Sequence, residues 1–193
     1  MIGILLSLFV QAVPDARLAR AVIVFDARAS VADFKGKTQA ATGALTGGAG
    51  LGDVRGWIEV RWRDIDTGNG MRNGHMLRTV DDDHYPTIRL ELLEVVRAAN
   101  PADSPTLKDS LGPPGTRQPS VAGMLRGELT LHGVTRQVEW PATLQLERDS
   151  LRAAADFPLD IRDYGIKPPV KFLIARMGPI VLVHVRLVFV RTP

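Results

Sequence analysis

The sequence predicts an all-β chain: an antiparallel β-barrel of about eight strands with one short helix. Two observations predict it. Apolar and polar residues alternate at period two through six clear segments. Almost no helical periodicity is left over to cover the apolar faces, so the sheet must pair with another sheet or close on itself. The 193 residues, with 18 glycines and 13 prolines, supply enough chain for one such domain and enough turn residues to fold it.

Taken in order, the chain begins with the apolar run Ile2 to Val10, too short to span a membrane. It resembles the apolar stretch of a secretory signal, and Val10-Gln11-Ala12 and Ala19-Arg20-Ala21 both have the small-x-small form of a cleavage site. The positive residues expected before such a run are missing. Residues 1–20 are therefore set apart as a remnant export signal, and the barrel is expected to occupy 21–193. No other segment approaches transmembrane length, so no stable membrane insertion is expected.

In Ala21 to Ala29, Ile23, Phe25 and Ala27 share one face, opposite Asp26 and Arg28. A weaker strand fits Val31 to Thr46. In the next strand Val54, Gly56, Ile58, Val60 and Trp62 alternate with Arg55, Trp57, Glu59, Arg61 and Arg63. Asn69 to Thr79 lacks alternation and suits a helical turn capping a barrel end. From Ile88, the residues Ile88, Leu90, Leu92 and Val96 are placed on one face. Ala98 to Ser120, rich in proline, glycine and serine, reads as a long mobile hairpin loop. Beyond it Val121, Gly123, Leu125, Gly127, Leu129 and Leu131 share a face, and a weaker strand covers Arg136 to Glu147. Leu151, Ala153, Ala155, Phe157, Leu159 and Ile161 follow, then Val181, Val183, Val185, Leu187 and Phe189, opposite His184 and Arg186.

The uncharged face is taken as the inside. An eight-stranded barrel is just wide enough to be filled by side chains or to hold one small ligand. Small inward residues favour a cavity, bulky neighbours such as Trp62 and Phe157 favour a filled core, and the pattern alone leaves both open. If there is a tunnel, Phe25, Ile58, Val60, Trp62, Leu90, Leu92, Leu125, Leu129, Ala155 and Phe157 line it. Gly123, Gly127 and Ala153 then form its narrow stretch.

The remaining chemistry excludes more than it suggests. A net charge of +3, spread along strands and interleaved with acids, gives no nucleic-acid tract. The absence of cysteine excludes disulfides, thiolate metal sites and a Cys nucleophile. His75, His84, His132 and His184 lack metal-ligand spacing, so no metal site is assigned. There is no GxSxG elbow and no phosphate loop, so no catalytic residue is assigned. Asp81-Asp82-Asp83-His84 reads as a solvated turn. His132, at a tight turn with Arg136 nearby, is expected to bond a neighbouring backbone group or carboxylate.

Leu129-Thr-Leu-His132-Gly133-Val134-Thr135-Arg136 resembles the signature hairpin of the YceI-like family, lipocalin-like proteins that bind polyisoprenoid lipids. Further similarities follow in the family's order: Phe25 to Lys37, Arg72-Asn-Gly-His75-Met76, His84-Tyr85-Pro86-Thr-Ile88, and Asp163-Tyr164-Gly165-Ile166. The resemblance runs from about Ala21 to the C-terminus. The loop 98–120 is longer and richer in proline than the family pattern, and the segment after Ile166 lacks its Trp or Asn-like residues. The resemblance implies an eight-stranded lipocalin-like barrel whose tunnel holds an isoprenoid lipid, of quinone or polyprenyl phosphate type, for carriage or storage. It also implies a periplasmic or secreted protein that is not an enzyme, with no cofactor besides the bound lipid. A homodimer remains open. Two other readings compete with it. One is a hydrolase or isomerase at the barrel mouth using His75, His132 or Asp163, and the other is a ligand-free stress-response module.

Overall fold

A computed structural model of the chain describes residues 12–97, 120–168, 170–171 and 175–192. The strands are β1 (Ala16–Ala29), β2 (Phe34–Thr38), β3 (Ala41–Thr46), β4 (Arg55–Arg61), β5 (Thr87–Arg97), β6 (Ser120–Leu131), β7 (Val134–Leu146), β8 (Ser150–Asp160), β9 (Val170–Lys171) and β10 (Ala175–Arg191). One helix, α1 (Gly70–Thr79), lies between β4 and β5. Adjacent strands are antiparallel, in the order β1-β3-β4-β5-β6-β7-β8-β10, and β10 pairs back onto β1 to close an eight-stranded ring. The weak strand expected over 31–46 is broken in two. The Ile23–Ala27 part of β1 pairs with β2, while Ala16 and Arg17 pair with β3.

The alternation explains the walls. Ile58 faces Leu90 across β4 and β5, and Leu90 faces Leu129 across β5 and β6, so an apolar row crosses the inner face of these three strands. Another row runs Leu45, Gly56, Leu92, Gly127, Val138. Its glycines allow close approach of neighbouring backbones. A Cβ at Gly127 would sit 2.4 Å from the Glu91 carbonyl oxygen, and one at Gly56 2.4 Å from that of Ala44. The strands could not coil this tightly with any larger residue there.

β5 departs from strict alternation. Its register with β6 shifts between Leu92 and Glu94, a β-bulge at Leu93. The extra residue turns the remainder of the strand over, so Val95 is buried and Val96, expected inside, is 38% exposed. The turn at 81–84 also differs from expectation. Asp82 is buried and its carboxylate accepts from the Arg63 guanidinium, so the turn is pinned to the barrel and not freely solvated.

Buried side chains form two main clusters. One contains Val13, Ala16, Leu45, Val54, Leu187 and Phe189. The other contains Trp62, Val80, Leu129, Leu131, Ile161 and Tyr164, with Met76 and Leu77 of α1 packed against it. β1 begins at Ala16, inside the segment set apart as 1–20, and Arg20 and Ala21 are paired with Val188 and Leu187. The apolar run Ile2 to Val10 lies outside the described residues, and so does the loop expected over 98–120 apart from Ser120, which opens β6.

Candidate functional site

The barrel is hollow. Its inward residues enclose a cavity of about 600 Å³, in the size range of small-molecule sites, with walls that are overwhelmingly apolar. Pattern alone did not decide between a tunnel and a filled core. The reason for the void is geometric: an eight-membered ring sets a radius that the mostly aliphatic inward side chains do not span.

Of the residues expected to line a tunnel, β1 supplies Phe25, β4 and the turn after it Ile58, Val60 and Trp62, and β5 Leu90 and Leu92. β6 supplies Leu125 and Leu129, and β8 Ala153, Ala155 and Phe157. Gly127 and Gly123 do not line the cavity. The Cβ direction of Gly127 points at the backbone of β5 and that of Gly123 at Val95 and Val96, so these glycines serve strand packing and not passage width.

Other lining residues were not singled out. Trp140 of β7 stacks on Phe157 inside the barrel, with ring centroids 3.7 Å apart and planes 9° from parallel. Its period-two spacing with Val138, Ala142 and Leu144 was the available signal. Along β10, Val181, Val183, Val185, Leu187 and Phe189 complete the wall, as their alternation allowed. The third group comes from α1: Arg72, His75, Met76 and Thr79 also face the cavity.

Helix α1 is placed by polar contacts. The Asn69 side chain caps it by accepting from the Arg72 N–H at 3.0 Å. The Asn73 side-chain oxygen accepts from the Thr67 N–H and hydroxyl, and its amide donates to Asp66. That bond and the Gly68 N–H hold the Asp66 carboxyl below its ordinary range. Arg72 donates to the Thr67 carbonyl at 3.2 Å and lies over the Phe34 ring, 4.5 Å from its centroid. Phe34 in turn meets Phe25 edge-on. The exposed lining residues, Val31, Ala32, Asn69 and Met71, all belong to the β1–β2 turn or the N-terminal end of α1, which marks the mouth.

A second closure stands at the same end. His132 and Gly133 form the two-residue turn between β6 and β7, both with positive φ. His132 Nδ1 lies 3.1 Å from the Tyr164 carbonyl oxygen, and Arg136 Nε donates to the Asp163 carbonyl at 2.6 Å. These bonds latch the helical turn 161–164, which ends at Gly165 in the left-handed conformation. Tyr164 is buried beneath it, and burial pushes its phenol up. The structural role expected of His132 is what the geometry shows. Neither His132 nor Asp163 lines the cavity, so only His75 of the three suggested acid–base groups reaches it. Among the described residues, no Asp or Glu lines it.

Comparison with known proteins agrees with this architecture. Residues 16–189 match the YceI-like domain family. The fold is similar to that of Burkholderia cenocepacia BcnA, at 13% identity and a TM-score of 0.67, covering 87% of this chain and 95% of that one. It is also similar to a Saccharophagus degradans domain described as polyisoprenoid binding and implicated in plant cell wall breakdown, at 12% identity and a TM-score of 0.68, covering 92% and 98%. A Campylobacter jejuni YceI protein matches at 10% identity and a TM-score of 0.54, covering 72% and 73%. At these identities the likeness is one of fold. No curated protein matches the chain.

Proposed function

The chain belongs to the YceI-like domain family, and from that premise we propose that it binds an isoprenoid lipid whose hydrocarbon tail lies in the barrel cavity. The observation that carries this is the cavity itself: about 600 Å³, with overwhelmingly apolar walls, open at one end and, among the described residues, lined by no carboxylate. A flexible hydrocarbon offers nothing for polar groups to bind, and such a wall asks for nothing else. Each buried CH₂ contributes about 0.8 kcal/mol, so a tail of several isoprene units binds without a single hydrogen bond. The similar Saccharophagus domain, described as polyisoprenoid binding, supports the same ligand class.

The contacts with the tail are assigned to Phe25, Ile58, Val60, Trp62, Leu90, Leu92, Leu125, Leu129, Ala153, Ala155 and Phe157. The role is carriage or storage, not catalysis. The periplasm is the proposed compartment, since the apolar run Ile2 to Val10 reads as part of an export signal.

Organic extraction of the purified protein followed by mass spectrometry tests the reading. An isoprenoid lipid should be recovered, or an added one should bind stoichiometrically. Ala155→Phe places a ring in the tunnel and should abolish retention at a stability cost of no more than about 1–3 kcal/mol. A protein that carries no lipid and takes up no added isoprenoid sinks the proposal.

A further inference from the structure

Exposed apolar side chains are unevenly spread over the barrel. Of the seven large ones among the described residues, five lie in the half nearest the mouth: Val31, Met71, Tyr85, Ile180 and Leu182. Tyr85 stands against His132, Ile180 lies opposite Asp160, which caps the turn 161–164, and Leu182 lies opposite Pro158. Val31, on the β1–β2 turn, and Met71, at the N-terminal end of α1, are the most exposed of the seven, at 70% and 68%, and both line the mouth. The other two, Leu93 and Val96, flank Val95 on β5, which packs into the closed end. Single exposed apolar residues are ordinary, but a group of them around the opening of an apolar cavity marks an interaction surface. Neither Val31 nor Met71 belongs to a buried cluster, so the fold does not require them to be apolar.

We propose that this rim is a membrane-docking surface: Val31 and Met71 dip into the apolar layer of a lipid bilayer, so that the cavity opens onto the membrane and not onto water. The proposal rests on the isoprenoid-binding reading and adds where the ligand is taken up and released. An isoprenoid tail leaves water for a bilayer as readily as for the barrel, since each CH₂ gains in both. A mouth opening onto water would wet the tail during every transfer, and a mouth opening onto the bilayer keeps it in apolar surroundings throughout. Two side chains supply a weak, reversible attachment, which suits a carrier that must leave again.

A second copy of the chain is a poorer occupant. Two side chains bury far less than the roughly 1,200 Å² of a stable protein interface. Mouth-to-mouth contact would also bring Arg72, which lines the same rim, toward its own copy. A bilayer asks for no complementary shape.

Flotation of the full chain with vesicles of phosphatidylethanolamine and phosphatidylglycerol tests the proposal. Val31→Ser combined with Met71→Ser should weaken vesicle binding about tenfold or more, the worth of two apolar side chains withdrawn from an apolar layer. Leu93→Ser removes apolar surface near the other end and should leave vesicle binding unchanged. Should the double variant melt early, the absence of cysteine allows a second measurement. Val31→Cys carrying a polarity-sensitive dye should shift to the blue when vesicles are added, and Leu93→Cys with the same dye should not. A wild type that does not float, an equal loss in the rim and Leu93 variants, or no loss in either overturns membrane docking. So does a rim-dependent dimer in sedimentation without attachment to vesicles, which would make a second copy the occupant. The isoprenoid reading is tested separately, by uptake of geranylgeraniol from detergent micelles with no vesicle present, so either can fail while the other stands.

Discussion

At the end of the barrel closed by Val13, Leu45, Val54, Leu187 and Phe189, side chains from several strands meet and pack, and Phe189 and Val54 are fully buried. Under α1 the ring is instead covered by a helix with no fully buried residue, held by Asn73, Thr67 and Asp66, and by a turn latched to His132 and Arg136. The strands are the same and alternate in the same way at both ends. What differs is the closure: at one end the strands' own side chains meet and pack, and at the other a separate helix and turn rest on the Trp62 cluster and are placed by a few directional hydrogen bonds. The strand side chains cannot leave without opening the wall. A helix and a turn laid over the ring can open locally while the wall stays folded.

The contrast breaks most readily at Phe189. Phe189→Ala should cost about 3–5 kcal/mol, because the surrounding strands cannot collapse into the space. Chemical denaturation measures it. A loss below about 1 kcal/mol would mean that this end is loose too and that the two ends are equivalent.

His132→Ala probes the other end. Loss of the bond to the Tyr164 carbonyl should lower stability by about 1–3 kcal/mol. Because the latch stands outside the cavity, lipid affinity in the folded protein should persist while exchange of bound lipid quickens. Stopped-flow transfer between protein and vesicles reads the exchange. Unchanged stability with lost affinity would place His132 in the site and not in its cover.

The smallest effect belongs to neither end. On the outer wall Asp156 accepts from Arg186 through both oxygens and lies 2.9 Å from His184. Burial pushes its carboxyl up, but the Arg186 and His184 hydrogen bonds outweigh this and hold it below the ordinary range. A depressed carboxyl stabilises the fold above its unfolded-state value, and that contribution is lost as pH falls through the folded-state value. Asp156→Asn should therefore flatten the acid side of the stability profile, by about 1 kcal/mol for a half-buried pair on the wall. Thermal melts across acid pH, with lipid retention measured in parallel, show whether the wall titrates independently of both ends. A matching change in retention would tie them together.

Much of this was legible in the sequence. The inward faces of β4, β6, β8 and β10 follow from strict alternation, and His132-Gly133 announces its own turn. Four features were not. The bulge at Leu93 inserts one residue, and no periodic pattern shows where the count slips, so Val96 was placed inside in error. Gly127 and Gly123 have no side chains, and only the neighbouring strand reveals that they answer to backbone contact. Arg72 and His75 at the mouth belong to a helix whose inward face depends on how it docks, and nothing in either residue taken alone gives that direction. Asp82 was hidden for the same reason, since its burial depends on Arg63, 19 residues away.

The ring is sealed by β1 lying against β10, with Ala16 opposite Arg191 and Phe25 opposite Val183. These partners come from the first and last strands of the barrel. A growing polypeptide therefore cannot close the barrel until its last strand has been made, and every earlier intermediate carries two unpaired sheet edges. Folding must wait for contacts of the greatest sequence separation, which places it among the slow, topology-limited processes of milliseconds to seconds. For that interval the chain depends on being kept from pairing with its neighbours, and the hazard to it in the cell is greatest before the barrel closes and small once it has.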